Sequence, residues 1–255
     1  MESLRLENPA GHLRYIDFPA DSPSLVFFHG MGCASTIDYP RVVANRALAG
    51  RRCLLPDMFG HGYSDAPPDF SYSVADHAET MAALLDQLAV KDALIFGHSM
   101  GGSVGVVLVR QRPDLASRLI LAESNLDPGG GTFSTGIAAQ AENDFLRSGH
   151  KAVVELFLST GSPSRAATFR ATDPIGLYRS AASLVAGSRP TWREQLYAMK
   201  LPRSWIAGES SGDQEETDAM SRQGIPVHVV PKAGHDMPFD NPDGLAEAIA
   251  QALAD

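Results

Sequence analysis

The chain has 255 residues, of which 44% are hydrophobic and 20% charged, and its formal net charge is −9 at pH 7. This is the composition of a folded globular protein that is long enough to bury a substantial core. The negative charge argues against nucleic acid or an anionic membrane surface as the main partner. We therefore expect one large domain, or one domain with an insertion.

The N-terminal residues, the longest aliphatic run and the cysteines indicate the cellular compartment. Residues 1–12 carry charges and lack the apolar core of a signal peptide. The longest aliphatic run, 104–109, is far shorter than the ~20 residues of a membrane span. Cys33 and Cys53 show neither metal-ligand nor redox spacing. We expect a cytoplasmic protein with reduced thiols and no membrane association, and the sequence leaves a homodimer open.

Short apolar runs alternate with helical segments, which is the pattern of an α/β protein. We predict strands at residues 12–18, 25–29, 52–56, 93–97, 118–122, 204–207 and 227–231. Several of these runs are apolar without alternation, as in strands that helices cover on both faces. Between strands, apolar residues recur at helical spacing over 74–88, and Asn241 and Pro242 open a C-terminal helix.

No strand pattern occurs between residues 125 and 201. Helical stretches are predicted there at 137–147, 151–158, 177–185 and 192–199. We therefore expect a core formed by residues 1–124 and 202–255, with a helical cap at 125–201 inserted between two strands.

The segment Gly97-His98-Ser99-Met100-Gly101 fits the G-x-S-x-G pattern and lies between a predicted strand and a predicted helix. A sharp strand-to-helix turn brings the residues two before and two after the serine close together, where a Cβ would clash. The turn pushes the serine into an unfavourable backbone conformation and exposes its oxygen. This arrangement is typical of a nucleophile, although a glycine-rich turn without chemistry has the same composition.

Two further segments complete a candidate active site. The strand ending in "LVFFHGMG" would bring the backbone N–H of Met31 near that of Met100, which gives two donors for an oxyanion. In "VPKAGHDMPFDNP", His235 follows a strand and comes after the serine in the chain, as a general base would. His61 and His98 are the competing histidines.

The motifs "HGMG", "PDMFGHGYSD", "GHSMGG" and "KAGHDMPFDNP" extend over nearly the whole chain. With them the sequence resembles the α/β-hydrolase fold superfamily, in its cap-bearing branch with a serine nucleophile. The resemblance implies a mostly parallel, twisted sheet with helices on both faces and a helical cap. It also implies Ser99 as nucleophile, His235 as base, and Met31 and Met100 as oxyanion donors.

The acid that orients His235 has two candidates. In most relatives this acid follows the penultimate strand, but here Ser211 occupies that position and Asp213 lies two residues further on. Glu123 directly ends the preceding apolar strand, and some members of the superfamily take their acid from that strand end. A carboxylate that closes a buried strand needs a partner. We therefore prefer Glu123 and keep Asp213 as the alternative.

A serine at the turn favours acyl transfer, and hydrolysis of a small or medium apolar carboxylic ester is the leading prediction. Cleavage of a diketone C–C bond, lactone opening and acyl transfer use the same residues, and a non-catalytic ligand receptor on this fold is the alternative of another class. No metal or dinucleotide pattern occurs, so no cofactor is expected. Candidate pocket residues of the insertion are Phe133, Phe145, Leu156, Phe157, Tyr178, Trp192 and Met199, and candidate anion-binding residues are Arg147, Arg165, Arg170, Arg179 and Arg189.

Overall fold

The computed structural model describes residues 1–255 and contains one eight-stranded sheet in the order β1-β2-β4-β3-β5-β6-β7-β8. The pairs β1–β2 and β2–β4 are antiparallel, and all other neighbours are parallel. The predicted α/β class with a mostly parallel sheet is confirmed. The strands are β1 Glu2–Glu7, β2 Ala10–Phe18, β3 Leu25–Phe28, β4 Cys53–Pro56, β5 Ala93–His98, β6 Ala116–Ala122, β7 Arg203–Gly208 and β8 Val227–Val230.

The central strands are buried on both faces. In β3, Leu25 and Phe27 belong to one apolar core, whereas Val26 and Phe28 belong to a second core on the opposite face of the sheet. This explains why these strands read as continuous apolar runs. Strand β1 was not predicted, because only Leu4 and Leu6 of its six residues are buried and the others are exposed and mostly charged.

The helices are numbered here in chain order. The first four are α1 Ser35–Asp38, α2 Pro40–Val43, α3 Val74–Gln87 and α4 Met100–Gln111. Six lie between β6 and β7, namely α5 Thr132–Ala138, α6 Glu142–Asp144, α7 His150–Ser159, α8 Pro163–Arg170, α9 Pro174–Ala186 and α10 Trp192–Ala198. The last are α11 Gln214–Arg222, α12 Met237–Asp240 and α13 Pro242–Ala252, and Asn241 caps α13 as predicted. None of these helices has the length and apolarity needed to span a bilayer.

One prediction for the inserted helices is wrong, and one helix was not predicted. The single helix expected over 137–147 is interrupted after Ala138, where the carbonyl of Gln140 accepts a hydrogen bond from the Tyr178 hydroxyl of α9 at 2.9 Å. The chain becomes helical again at Glu142 and continues through a π-helical turn into α7. Helix α8 could not be predicted from apolar periodicity, because its buried face includes the polar residues Arg165 and Thr168, which interrupt the apolar pattern.

Three buried imidazoles form a row that runs from the end of β3 to α3. The rings of His29 and His61 have centroids 5.1 Å apart, and those of His61 and His77 are 5.9 Å apart. Burial lowers the pKa of His29 to about 3 and that of His61 to about 4, and it lowers the pKa of His77 well below its usual value. All three rings are therefore neutral at physiological pH, and protonating them opposes folding.

A His77→Phe variant should lose less stability in acid than the wild type. A histidine with a lowered pKa in the folded state leaves stability unaffected above about pH 6.5 and reduces it as the pH falls toward the folded-state pKa. Between pH 6.5 and pH 5, the wild type should therefore lose more of its free energy of unfolding than the variant. Urea unfolding at pH 7.5, 6.5 and 5 measures the difference, and parallel pH profiles for the two proteins would contradict the assignment.

Candidate active site

Ser99 lies at the turn between β5 and α4, with φ of 52° and ψ of −121°. This left-handed conformation is strained for a residue with a side chain. Residues 97 and 101 must be glycine because a Cβ at either position would overlap the backbone. A Cβ on Gly101 would lie 2.2 Å from the Phe28 carbonyl oxygen, and one on Gly97 would lie 2.6 Å from the Gly101 carbonyl oxygen. The glycines thus allow the chain to hold Ser99 in this conformation.

The loop after β3 lies against this turn. A Cβ on Gly30 would be 3.3 Å from the Cβ of Ser99, so Met31, the next residue, is also near the serine. The backbone N–H groups of Met31 and Met100 donate no hydrogen bond to any group of the protein. Met100 is the first residue of α4, where the helix dipole favours negative charge. Two backbone donors are therefore available on the two loops that meet at Ser99.

His235 and Glu123 form a hydrogen-bonded pair. His235 Nδ1 donates to Glu123 Oε2 at 2.7 Å, which leaves Nε2 of the neutral ring free to accept a proton. Glu123 Oε1 accepts from the Gly208 N–H and from the Ser211 hydroxyl, each at 2.8 Å. Asp213 instead caps α11, where its carboxylate accepts from the Glu215 N–H at 2.8 Å. The structure thus brings Glu123, and not Asp213, to His235.

The surroundings of Glu123 keep its carboxylate ionised. Burial alone would raise the pKa of Glu123, but the hydrogen bonds from His235, Gly208 and Ser211 outweigh it, and the net shift is downward. The backbone of Glu123 has a φ of 39°, a second strained residue at the carboxyl edge of the sheet. A charged, oriented acceptor therefore faces the imidazole.

The competing histidines lie outside the cavity that contains Ser99. His98 is buried, and its Nε2–H donates to the backbone carbonyl of His235 at 2.9 Å. Burial lowers the pKa of His98 well below its usual value, so the ring stays neutral. His61 is buried as well and donates from Nδ1 to the Phe59 carbonyl at 3.0 Å. His98 thus supports the loop of His235, a contact that the sequence analysis did not predict.

A cavity of about 320 Å³ brings the candidate residues together. Within it, the Ser99 hydroxyl donates to Asn125 Oδ1 at 3.4 Å, and no hydrogen bond joins Ser99 to His235. Asn125 was not predicted, although it follows Glu123 by two residues in the same loop. The cavity is lined by Met31, Ser99, Asn125, Gly131, Thr132, Phe133, Ser134, Arg165, Phe169, Leu184 and His235.

The residues that the insertion contributes to the cavity differ in part from those predicted. Phe133 is the one apolar candidate that lines it, and Phe169 and Leu184 supply the rest of the insertion's apolar wall. Of the five candidate arginines, Arg165 alone is buried and reaches the cavity. This choice could not be predicted, because nothing in the local sequence pattern distinguishes Arg165 from arginines on exposed helix faces.

Comparison with known proteins places the chain in a family. A family model described as alpha/beta hydrolase fold matches residues 23–212. The chain belongs to the α/β-hydrolase fold family. This match confirms the resemblance to the α/β-hydrolase fold superfamily that the sequence motifs indicate.

Individual α/β-hydrolases resemble the chain to different extents. An esterase of Mycobacterium tuberculosis is 25% identical over 273 residues, which cover 96% of this chain and 87% of the relative. The sn-1-specific diacylglycerol lipase ABHD11 of Mus musculus is 35% identical, but over only 49% of this chain and 39% of its own length. Other curated relatives with comparable identity are likewise matched over little more than a third of their length. A thermophilic esterase from Thermogutta terrifontis has the same fold, with a TM-score of 0.84 at 22% identity, covering 100% of this chain and 98% of that one.

A Gly101→Ala variant should be strongly destabilised, by at least about 3 kcal/mol, because the added methyl group meets a backbone carbonyl that only a shift of β3 or α4 can relieve. Gly136→Ala is the matched control, since Gly136 is also helical and a Cβ there meets nothing within 4 Å. We expect the control to be unchanged or stabilised by up to about 1 kcal/mol. Urea unfolding compares the two, and similar stabilities would contradict the tight turn.

Proposed function

We propose that this α/β-hydrolase is a serine hydrolase that cleaves small or medium apolar carboxylic esters through an acyl-enzyme intermediate. The observation that carries the proposal is the hydrogen-bonded pair of His235 and Glu123 in the same cavity as Ser99, which occupies a strained turn. A nucleophile, a base and an orienting carboxylate in this relation are the requirements for acyl transfer by a serine.

In the acylation step, Ser99 attacks the carbonyl carbon of the ester. The Ser99 hydroxyl first rotates from Asn125 toward His235, and Nε2 takes its proton as the new C–O bond forms. The negative charge on the carbonyl oxygen is stabilised by the N–H groups of Met31 and Met100. Glu123 stabilises the imidazolium through its hydrogen bond to Nδ1. The alcohol then leaves with the proton from Nε2, and the acyl group remains on Ser99.

In the deacylation step, water replaces the alcohol. His235 takes a proton from water as the oxygen attacks the acyl carbon, and the same two N–H groups hold the second oxyanion. Collapse of this intermediate returns the proton to Ser99 and releases the carboxylic acid. No group besides the residues named is required for either step.

The size and lining of the cavity support a short acyl chain. A volume of about 320 Å³ lies at the lower end of the range for small-molecule sites. Its apolar wall consists of Met31, Phe133, Phe169 and Leu184, with the last three contributed by the insertion, which therefore acts as the cap over the substrate. The similarity to the mycobacterial esterase over 96% of the chain is in line with ester hydrolysis.

Ser99→Ala should abolish ester hydrolysis and leave the fold intact, because it removes the attacking oxygen and adds no bulk at the turn. We expect turnover of 4-nitrophenyl acetate and butyrate to fall by about 10⁴-fold or more. The wild type should prefer these esters to longer chains and should react stoichiometrically with a fluorophosphonate. Ser148→Ala, on an exposed part of the insertion, is the control. A Ser99→Ala variant with more than about a tenth of wild-type turnover would exclude Ser99 as the nucleophile.

Glu123→Gln should lower turnover by about a hundredfold or more, because an amide holds the imidazole in the wrong tautomer or leaves its Nδ1–H without a charged acceptor. Asp213→Asn is the matched control and should stay within about threefold of the wild type, because Asp213 acts as a helix cap and asparagine caps equally well. Steady-state kinetics on purified, folded variants measures both. The reverse ranking would assign the acid to Asp213.

A further inference from the structure

Helix α8 of the insertion packs on both loops that carry the proposed catalytic groups. Its Phe169 ring lies so close to the loop after β3 that a Cβ on Gly32 would be 2.4 Å from a ring carbon. Arg165 lies one helical turn before Phe169, and its guanidinium carbon is 5.9 Å from the centroid of that ring. The two side chains therefore share the face of α8 that points at the active site.

The guanidinium of Arg165 joins the two loops directly. Its Nη1 donates to the Sγ of Cys33 at 2.6 Å, and its Nη2 pairs with the carboxylate of Asp236. Cys33 follows Met31 by two residues, and Asp236 is the residue after His235. One buried side chain thus contacts a neighbour of the proposed oxyanion donor and a neighbour of the proposed base.

We infer that Arg165 is a positioning residue that fixes the loop of Met31 relative to the loop of His235. This inference rests on the proposed function. The planar fork of arginine can meet two acceptors at once in a fixed geometry, which the single ammonium of lysine cannot do. Because an error of about 1 Å in the placement of reacting groups can lower a rate about a hundredfold, holding the two loops together has a direct effect on turnover.

The surroundings of Arg165 favour this role over recognition of an anionic substrate. Its charge is already paired with Asp236, and Asp38 lies close enough to interact with it. Burial nevertheless raises the pKa of Asp38 to about 7. A cation that a neighbouring carboxylate already pairs with attracts a substrate carboxylate only weakly.

The test compares Arg165→Met, Arg165→Lys and Asp236→Asn with Arg170→Met, an exposed residue of the same helix. We expect Arg165→Met to lower kcat for 4-nitrophenyl acetate at least tenfold with KM within threefold, because the apolar wall is retained while the catalytic groups are misplaced. The rate of fluorophosphonate labelling of Ser99 should fall in parallel. Arg165→Lys should recover part of the loss, and Arg170→Met should stay within twofold of the wild type.

A double-mutant cycle separates positioning from general destabilisation. If Arg165 and Asp236 act as one unit, the Arg165→Lys/Asp236→Asn double variant should be as active as the less active of the two single variants. Fully multiplicative losses, or unchanged kcat in a destabilised Arg165 variant, would overturn the inference. Should Arg165→Met fail to fold, unchanged kcat in both Arg165→Lys and Asp236→Asn would do the same.

The readouts also distinguish this inference from its alternatives. A loss confined to monoesters of dicarboxylic acids, with neutral esters unaffected, would instead assign Arg165 to anion binding and overturn the positioning role. Wild-type protein that neither reacts with the fluorophosphonate nor cleaves any ester would contradict the proposed function, and this inference with it. Labelling of the wild type and of Arg165→Met at equal rates would contradict the inference alone.

Discussion

The hydrogen bond of 2.7 Å between His235 Nδ1 and Glu123 Oε2 connects the ends of two separate strands, and the rest of the site depends on it. Glu123 can occupy this place because β6 ends at the carboxyl edge of the sheet, where β5 also delivers Ser99. Gly208 and Ser211, from the end of β7, bind the other carboxylate oxygen. Residues at the ends of three neighbouring parallel strands, β5, β6 and β7, thus surround the imidazole and determine its position.

Sequence patterns are most informative where local geometry restricts the choice of residue. The turn at Ser99 requires glycines at 97 and 101, since a Cβ at either position would overlap the backbone. The spacing of these glycines around the serine can be recognised in the sequence alone. The preference for Glu123 over Asp213 rested on the cost of ending a buried strand with an unpaired carboxylate, and the structure gives Glu123 three hydrogen bonds. The sheet was predicted apart from β1, whose two buried leucines were too few to indicate a strand.

The insertion was harder to predict because its important contacts are long-range and polar. Arg165 meets Cys33 and Asp236, which lie 132 residues before it and 71 residues after it in the chain, and no periodicity encodes such contacts. Burying an arginine among helices also removed the apolar pattern by which α8 could have been found. Inserted helices that contact the loops around the cavity through polar groups are therefore poorly predicted by sequence patterns, whereas the core that holds Ser99 is predicted well.

Acylation of Ser99 during turnover can be observed in a rapid-quench experiment with 4-nitrophenyl acetate. We expect a burst of one nitrophenol per chain when deacylation is the slower step, with an acetyl group on the peptide that contains Ser99 in the acid-quenched protein. The same experiment with Glu123→Gln should give a slower burst at the same residue. An acetyl group on any other residue, or turnover that never passes through an acylated chain, would exclude Ser99 as the nucleophile.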